Sequence, residues 1–245
     1  MYTRQEEISD SLESRDPVPK TAQPATTKPR ERLTRARVVT AAVALADQHG
    51  IDSLSMRNLA EDLGVVPMAL YKHVANKEEL LDGMVDAVFA ETSFSTDADW
   101  KPALRERALA MREALLRHPW AVGRMESGTP GPANLRHHNA VMECLRAKAQ
   151  LPFRAAVHAY SVMDSYVYGF ALQEKTLTGD IPAEAERRTR RVRQEHPAPL
   201  EEYPYLMDVA EELARSGYDF ADEFEFGLDL VLDGIDRFRN AELFS

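Results

Sequence analysis

The sequence is 245 residues long and 44% hydrophobic, which is enough to bury a core in one large domain or two modest ones. Its net charge is −10, its first residues are polar, and no run approaches about 18 apolar residues, so we expect neither a signal peptide nor a membrane span. Cys144 is the single cysteine, which excludes an internal disulfide and a cysteine-based zinc site and favours a reducing cytoplasm.

The first part of the chain differs in composition from the rest. Residues 1–30 contain four prolines and few large apolar side chains, which predicts a disordered arm. Residues 28–80 carry a net charge of +1, whereas residues 81–245 carry −9. Five basic residues lie together where the arm ends, namely Lys28, Arg30, Arg32, Arg35 and Arg37.

From Leu33 onward, apolar residues recur at helical spacing and no run alternates like a half-buried strand, so the sequence predicts an all-α protein. Ser55 and Asn76 suit N-caps, and Gly50 and Gly64 suit helix ends. Pro67 suits the first turn of a third helix. The other predicted helices cover residues 35–50, 55–64, 77–91, 100–117, 120–126, 133–149, 154–178, 206–215 and 219–239.

Three short helices, with a glycine-containing turn between the second and the third, predict a helix-turn-helix module. Leu70 and Val74 are four residues apart, so they share the face that anchors the third helix. The side chains outside that face can contact bases or phosphates, and Arg57 can reach a guanine edge. The same spacing also suits a helical hairpin with a solvated face. The candidate DNA-binding residues are Arg57, Pro67, Met68, Ala69, Tyr71, Lys72, His73 and Lys77.

The stretch RVVTAAVALADQHGIDSLSMRNLAEDLGVVPMALYKHVANKEELLDGMVD resembles the DNA-binding domain of the TetR family of bacterial transcriptional regulators. The resemblance implies a helix-turn-helix domain at residues 31–78 and a larger helical-bundle domain at residues 79–245 that binds an effector and dimerises. It places Lys72 where an aromatic residue is frequent. It also implies base contacts for Arg57, Pro67, Met68 and Ala69, and phosphate contacts for Tyr71, His73 and Lys77.

The later stretches HPWAVGRMESGTPGPAN and AYSVMDSYVYGFALQE are similar to the C-terminal domain type of tetracycline repressors. In that domain type a histidine just before the G-T turn holds the magnesium ion of the drug. Met125 or Glu126 stands at that position here, so we expect an effector other than tetracycline. A lone glutamate is more often solvated than metal-bound, and we predict no metal site and no cofactor.

The helices also predict a homodimer. Ser161, Ser165 and Gly169 are four residues apart, and such a stripe of small side chains allows close approach of another helix. The last helix carries an apolar face that we expect to be too wide for one monomer to bury, so a partner would cover it. Alternatively, both stripes are intramolecular core. The residues expected on this face of the last helix are Phe224, Leu228, Val231 and Ile235.

Bulky and adaptable side chains lie where the larger domain of this family encloses its effector. A cavity lined by methionine and aromatic side chains suits a flat, apolar ligand, although such residues are more often plain core. The candidate effector-binding residues are Met111, Trp120, Met125, Met163, Tyr166 and Phe170, with Tyr168 beside them.

Other features weigh less. His137 and His138 are adjacent, so they point to different sides of a helix and make a poor metal pair. The arginine-rich residues 187–193 suit a solvated helix end, a second DNA contact or a flap. We find no phosphate loop and no nucleophile–base pattern, so we predict no enzyme. The sequence therefore predicts a ligand-responsive repressor of double-stranded DNA, with an activator, a helical interaction module or a helical enzyme as alternatives.

Overall fold

The computed structural model describes residues 32–177 and 202–240, together with Arg187, Arg190 and Arg191. The predicted arm at residues 1–30 and most of the arginine-rich segment lie outside the described residues. Where the structure describes the chain, it is helical and contains no strand, which confirms the all-α prediction. The helices are α1 (Arg35–His49), α2 (Met56–Asp62), α3 (Pro67–Leu70), α4 (Lys77–Glu91), α5 (Trp100–Arg117), α6 (Pro132–Glu143), α7 (Phe153–Thr176), α8 (Pro204–Ser216) and α9 (Phe220–Asn240).

The helix ends follow the capping residues in the sequence. The Ser55 hydroxyl accepts the Asn58 N–H at 3.1 Å, and the Asn76 side chain accepts the Glu79 N–H at 2.8 Å. Each bond satisfies a backbone donor that the first helical turn leaves unpaired. Gly64 has φ of +64°, a left-handed conformation that glycine adopts at no steric cost. The predicted caps are therefore confirmed, and they set the sharp turn between α2 and α3.

The first four helices share a core. Val38 and Ala42 of α1, Leu59 of α2 and Leu70 of α3 are buried together. Helix α4 packs on α1, α5 and α6, and the apolar residues that the sequence predicts on its buried face are buried. Because α4 contacts both groups of helices, a displacement of α6 or α5 can reach the α1–α3 unit through one rigid element.

Helices α5, α6, α7 and α9 form the larger bundle. Helix α6 continues as a π-helix over Cys144–Lys148, and Arg112 pairs with Glu174 across α5 and α7 at 2.6 Å. Among the described residues, every helix is too short or too polar to cross a bilayer.

The last helix corrects part of the dimer prediction. Phe224 and Leu228 are fully buried within the monomer and Ile235 is 7% exposed, so α5 and α7 of the same chain cover them. The expectation that one monomer cannot bury this face is wrong for these three residues. Val231 is partly exposed and packs at the edge of the same core.

Candidate functional site

The α2–α3 unit has one side held on the core and one side exposed. Leu70 is 0% and Val74 is 2% exposed, so these two residues hold α3 on the α1–α4 core. Met68, by contrast, is 71% exposed and Tyr71 is 45% exposed. Both side chains are therefore accessible to a partner.

The predicted DNA-binding residues are all accessible or partly accessible on the described structure. Arg57, Pro67, Met68, Tyr71, Lys72 and Lys77 are exposed, and Ala69 and His73 are partly exposed. Lys77 is the first residue of α4, where the backbone N–H groups of the helix end also favour an anion. The face therefore combines hydrogen-bond donors for phosphates with side chains that can enter a groove.

A cavity of about 180 Å³, here called the loop pocket, lies between α4, α6 and the loop at residues 125–131. Helix α4 contributes Asp82, Val85 and Asp86 to its wall, and α6 contributes Asn134 and His138. Because α4 lines the pocket and also supports the DNA-binding face, a ligand here would press directly on the helix that joins the two.

The loop that closes this pocket is built on α4. Gly128 has φ of +86°, and a Cβ atom there would overlap the Asp82 carboxylate. The Asp86 carboxylate accepts the Asn134 N–H at 2.9 Å and therefore caps the first turn of α6. These contacts fix the loop position, and they leave carboxylates at the wall of the pocket.

A buried polar network lies behind the loop pocket. Arg107 is fully buried, its Nη1 lies 2.5 Å from Asp164 Oδ1, and its Nε donates to His137 Nε2 at 2.9 Å. His137 Nδ1 lies 3.0 Å from the Thr92 hydroxyl, which donates to the Phe89 carbonyl. Since Nε2 accepts from arginine, Nδ1 carries the proton. Burial, followed by the charge of Arg107, lowers the pKa of His137 to about 3.

Three acceptor groups meet at the inner side of the loop pocket. Glu126 comes from the loop, His138 from α6 and Asp164 from α7, and each offers one atom within 4.8 Å of the others. Within the described part of the chain, this is a group whose spacing could hold a cation, although the sequence predicts no metal site. Adjacent His137 and His138 do face different partners, as their spacing indicates.

Among the described residues, the loop pocket is lined by one of the six predicted effector-binding residues. Met125 lines the loop pocket, whereas Met111 and Met163 are fully buried in the bundle core. Trp120 is 6% exposed, and its indole N–H donates to Asp47 of α1 at 2.7 Å. His118 contacts the same carboxylate at 2.8 Å, so this tryptophan ties α1 to the larger bundle.

Tyr166 and Phe170 also have a structural role. The Tyr166 hydroxyl donates to the Phe224 carbonyl at 2.8 Å, and the ring centroids of the two residues are 5.3 Å apart. Phe170 meets Phe224 edge to face at 5.1 Å. These contacts dock α9 on α7, so the two aromatic residues hold the bundle together away from the loop pocket.

A surface between α7 and α9 remains apolar and exposed. Val162 is 54% and Leu230 is 55% exposed, and both line a groove that runs between the two helices. Ser161 and Ser165 are exposed and Gly169 is partly exposed, so the predicted stripe of small residues is at the surface of the monomer.

The sequence contains a signal for the buried network that residue types alone do not reveal. Arg107 follows Leu104 by three residues and precedes Met111 by four, which places a charge on the apolar stripe of α5. Asp164 holds the same kind of position on α7. A charged residue on a core-facing stripe requires a buried partner, and pairing the two stripes would have pointed to this site.

The comparisons with known proteins agree with this arrangement. The sequence family described as "Bacterial regulatory proteins, tetR family" matches residues 38–84. The family described as "Tetracyclin repressor-like, C-terminal domain" matches residues 95–238.

Individual relatives cover most of the chain. The HTH-type transcriptional repressor DrrR1 of Streptomyces coeruleorubidus is 34% identical over 223 residues, which cover 85% of this chain and 79% of the relative. The tetracycline repressor protein class G of Vibrio anguillarum is 34% identical over 217 residues, covering 86% and 98%. The TetR family protein ActR of Streptomyces coelicolor, solved in complex with actinorhodin, has a TM-score of 0.71 and 26% identity, covering 86% of this chain and 100% of ActR.

Proposed function

Since this chain belongs to the tetR family of bacterial transcriptional regulators, we propose that it is a repressor that binds a pseudo-palindromic operator as a homodimer. Membership of this family makes it a ligand-responsive DNA-binding regulator and not an enzyme. The proposal rests on the exposed α2–α3 face, which is followed directly by α4, a helix that also lines the loop pocket.

The proposed DNA contacts divide by chemistry. Arg57 and the exposed start of α3 enter the major groove, where a guanidinium can bind a guanine edge in a bidentate manner. Tyr71, Lys72, His73 and Lys77 hold phosphates on either side, which fixes the position of α3 in the groove. A basic arm ending near Arg32 adds a minor-groove contact.

We divide the chain by these roles. Residues 1–30 form the arm, residues 31–78 form the DNA-binding domain, and residues 79–245 form the domain that binds the effector and dimerises. The boundary falls inside the first turn of α4. Its buried residues Leu80 and Leu81 support the DNA-binding helices, and Asp82, Val85 and Asp86 of the same helix line the loop pocket.

The homodimer uses the exposed side of the α7–α9 pair. Ser161, Ser165 and Gly169 permit close approach of a helix, and Val162 and Leu230 supply apolar surface. A two-fold axis through this surface pairs each helix with its own copy, as in an isologous interface. Two recognition helices then read two related half-sites one helical turn apart.

Release from DNA follows from a shift between two populations. An effector that binds the loop pocket more tightly in one position of α4 favours that position, and it changes the separation of the two α3 helices. We place the effector in the loop pocket because the pocket wall includes α4. ActR, a relative solved with actinorhodin, supports a small-molecule effector.

The proposed effector is not tetracycline, because Met125 and Glu126 stand where the resemblance places a magnesium-binding histidine. Adding tetracycline and magnesium to the DNA complex tests this point. We expect the complex to persist, whereas release at micromolar drug would contradict the proposal.

DNA binding is tested by fluorescence anisotropy with DNA from upstream of the gene for this protein, across a salt series. We expect tight binding that weakens steeply with salt, because lysine and arginine release counterions from phosphates. Tyr71→Ala and Lys77→Ala should each weaken binding about tenfold, and Lys77→Ala should lower the salt slope by about one.

Two substitutions provide matched controls. Tyr205→Ala removes a tyrosine that is 83% exposed on α8, and Arg136→Ala removes an exposed cation on α6. Both should leave the affinity and the salt slope unchanged. Equal losses in the control and test variants would refute the assignment of the α3 face. An operator that overlaps no promoter but raises transcription when bound would identify an activator instead.

A further inference from the structure

The inner side of the loop pocket gathers three hydrogen-bond acceptors. Glu126, His138 and Asp164 each offer one atom, and all three atoms lie within 4.8 Å of one another. They come from the loop, α6 and α7, so no single helical turn explains their meeting. Glu126 and His138 also line the loop pocket, which makes the group accessible to a ligand there.

His138 acts as an acceptor because of its own backbone contact. Its Nδ1 lies 2.8 Å from the Asn134 carbonyl oxygen, which can only accept a hydrogen bond. In the neutral ring Nδ1 therefore carries the proton, and Nε2 keeps a lone pair. The group then consists of two carboxylates and one imidazole nitrogen, and none of these three supplies a proton to the others.

Asp164 has accepting capacity left over. Its side chain is 6% exposed, Arg107 Nη1 forms an ion pair with it at 2.5 Å, and the Tyr168 hydroxyl lies 3.4 Å from its Oδ2. A carboxylate offers about four lone-pair positions, and Arg107, Tyr160 and Tyr168 engage three of them, so one remains. A ligand donor can use that remaining position.

The formal charges around the three acceptors suit a bound cation. Glu126 and Asp164 carry two negative charges and Arg107 carries one positive charge, so the local sum is −1. The wall of the loop pocket adds Asp82 and Asp86, and it includes neither lysine nor arginine. The pocket is therefore electrostatically suited to a cation.

We propose that this group binds an ammonium group of the effector, so that the effector is an amine with an apolar body. The inference rests on the proposed effector site and names the chemical class of its ligand. A primary ammonium has three N–H donors in a tetrahedral arrangement. With charged hydrogen bonds of about 2.8 Å, the three acceptors stand about 4.6 Å apart, which lies within the observed limit of 4.8 Å.

A divalent metal ion fits the same group less well. Bonds of about 2.1 Å to a tetrahedral ion place its ligands about 3.4 Å apart, which the 4.8 Å limit also admits, so charge and not spacing distinguishes the two ligands. A divalent ion would place two positive charges near the buried Arg107, and repulsion between like charges is unfavourable in a region of low dielectric. The local charge and the three acceptors therefore favour a monovalent ammonium.

The test uses a matched pair of ligands and the full chain without DNA. The probes are 2-phenylethylammonium and 2-phenylethanol, which differ in the ammonium and hydroxyl groups. Titration followed by protein NMR should show the ammonium binding at least tenfold more tightly than the alcohol. Glu126→Gln should weaken ammonium binding about tenfold to a hundredfold, because one charged hydrogen bond is lost. Glu113→Gln, which changes an exposed glutamate on α5, should leave binding unchanged.

A second variant and a metal titration complete the test. His138→Phe keeps an aromatic ring and removes the acceptor, so it should also weaken binding of the ammonium and not of the alcohol. Equal binding of the two probes, or indifference to both substitutions, would overturn the proposal. Tight binding of Zn²⁺ or Mn²⁺ that the ammonium cannot displace would overturn it in favour of a metal site. Because no DNA is present, these outcomes are independent of whether the chain binds an operator.

Discussion

At the scale of single residues, the buried hydrogen-bond network around Arg107 opposes protonation of His137. His137 is held between the Arg107 guanidinium and the Thr92 hydroxyl, and it is 5% exposed. A second proton on this ring would have to sit on Nε2, which faces Arg107 Nε. The ring is therefore kept neutral, which lets it accept from arginine and donate to threonine at the same time.

This arrangement predicts a dependence of stability on pH. Burial and the nearby Arg107 lower the pKa of His137 to about 3 in the folded state, whereas an unfolded histidine titrates near 6.5. Between these values the unfolded state binds more protons, so the free energy of unfolding rises with pH and falls on acidification. We expect the contribution of His137 to fall by up to about 1.4 kcal/mol per pH unit below pH 6.5 and to level off near 3.

Urea unfolding at several pH values between 7 and 4 measures this contribution. His137→Gln should show a shallower slope than the wild-type chain, because glutamine does not titrate, while all other groups contribute equally to both proteins. Its absolute stability will also be lower, since two hydrogen bonds are lost, but that offset does not depend on pH. Parallel profiles for the two proteins would show that the imidazole titrates in the same way folded and unfolded.

The residue scale is also where the sequence is least informative. The exposed DNA-binding candidates could be predicted because Leu70 and Val74 define which side of α3 is buried. The effector candidates remain a prediction, because Met, Tyr and Phe fill a core and line a pocket equally well. Glu126, His138 and Asp164 are far apart along the chain, and only the packing of the loop, α6 and α7 brings them together.

At the scale of helices, the periodicity and the caps are sufficient to place most elements. Asn76 and Ser55 begin α4 and α2 where the sequence predicts, because a capping side chain acts within three residues. The periodicity does not, however, identify which element packs against an apolar face. The sequence allows the apolar stripe on α9 to be buried within one chain or between two chains. In the fold, α9 packs on α5 and α7 of the same chain.

The α7–α9 contact leads to a prediction at this scale. A Cβ atom at Gly227 would overlap the Tyr166 hydroxyl, which donates to the Phe224 carbonyl. We expect Gly227→Ala to lower the free energy of unfolding by about 1–3 kcal/mol, because α9 must move away from α7 or the tyrosine must leave its bond. Thermal or urea unfolding of the full chain measures the change.

The double variant separates this clash from a general effect of alanine. Tyr166→Phe removes the hydroxyl and should cost about 1 kcal/mol on its own. In the Tyr166→Phe background, Gly227→Ala should cost less than in the wild-type chain, because the worst overlap, with the hydroxyl oxygen, is gone and only the ring carbons at 2.8 and 2.9 Å must shift. Additive losses would show that the two positions do not interact.

At the scale of the whole molecule, the proposed binding to a pseudo-palindromic operator requires two copies of the chain. One α3 helix reads only a few base pairs, and a second copy across a two-fold axis doubles the contact without new side chains. The acidic larger domain, with a net charge of −9 over residues 81–245, is repelled from the phosphates. A dimer held together by that domain therefore leaves the α2–α3 faces to set the footprint on DNA.

The exposed surface between α7 and α9 makes the dimer testable. A glutamate at Leu230 would bury an unpaired charge in the proposed interface, so Leu230→Glu should convert the dimer to a monomer in sedimentation equilibrium at micromolar concentration. Operator affinity should fall by more than tenfold, since the monomer contacts one half-site. The helical content should stay unchanged, because this side chain is 55% exposed within the monomer.

Leu135→Glu provides the matched control, because Leu135 is 57% exposed on α6, away from the α7–α9 groove. It introduces the same charge and the same loss of apolar surface, so any effect on solubility or on DNA repulsion is shared by both variants. A dimer that survives Leu230→Glu would mean that another surface joins the two copies. A dimer lost in both variants would mean that added negative charge alone separates them. Loss in Leu230→Glu only, together with weaker operator binding, would tie two-fold assembly through this surface to recognition of the operator.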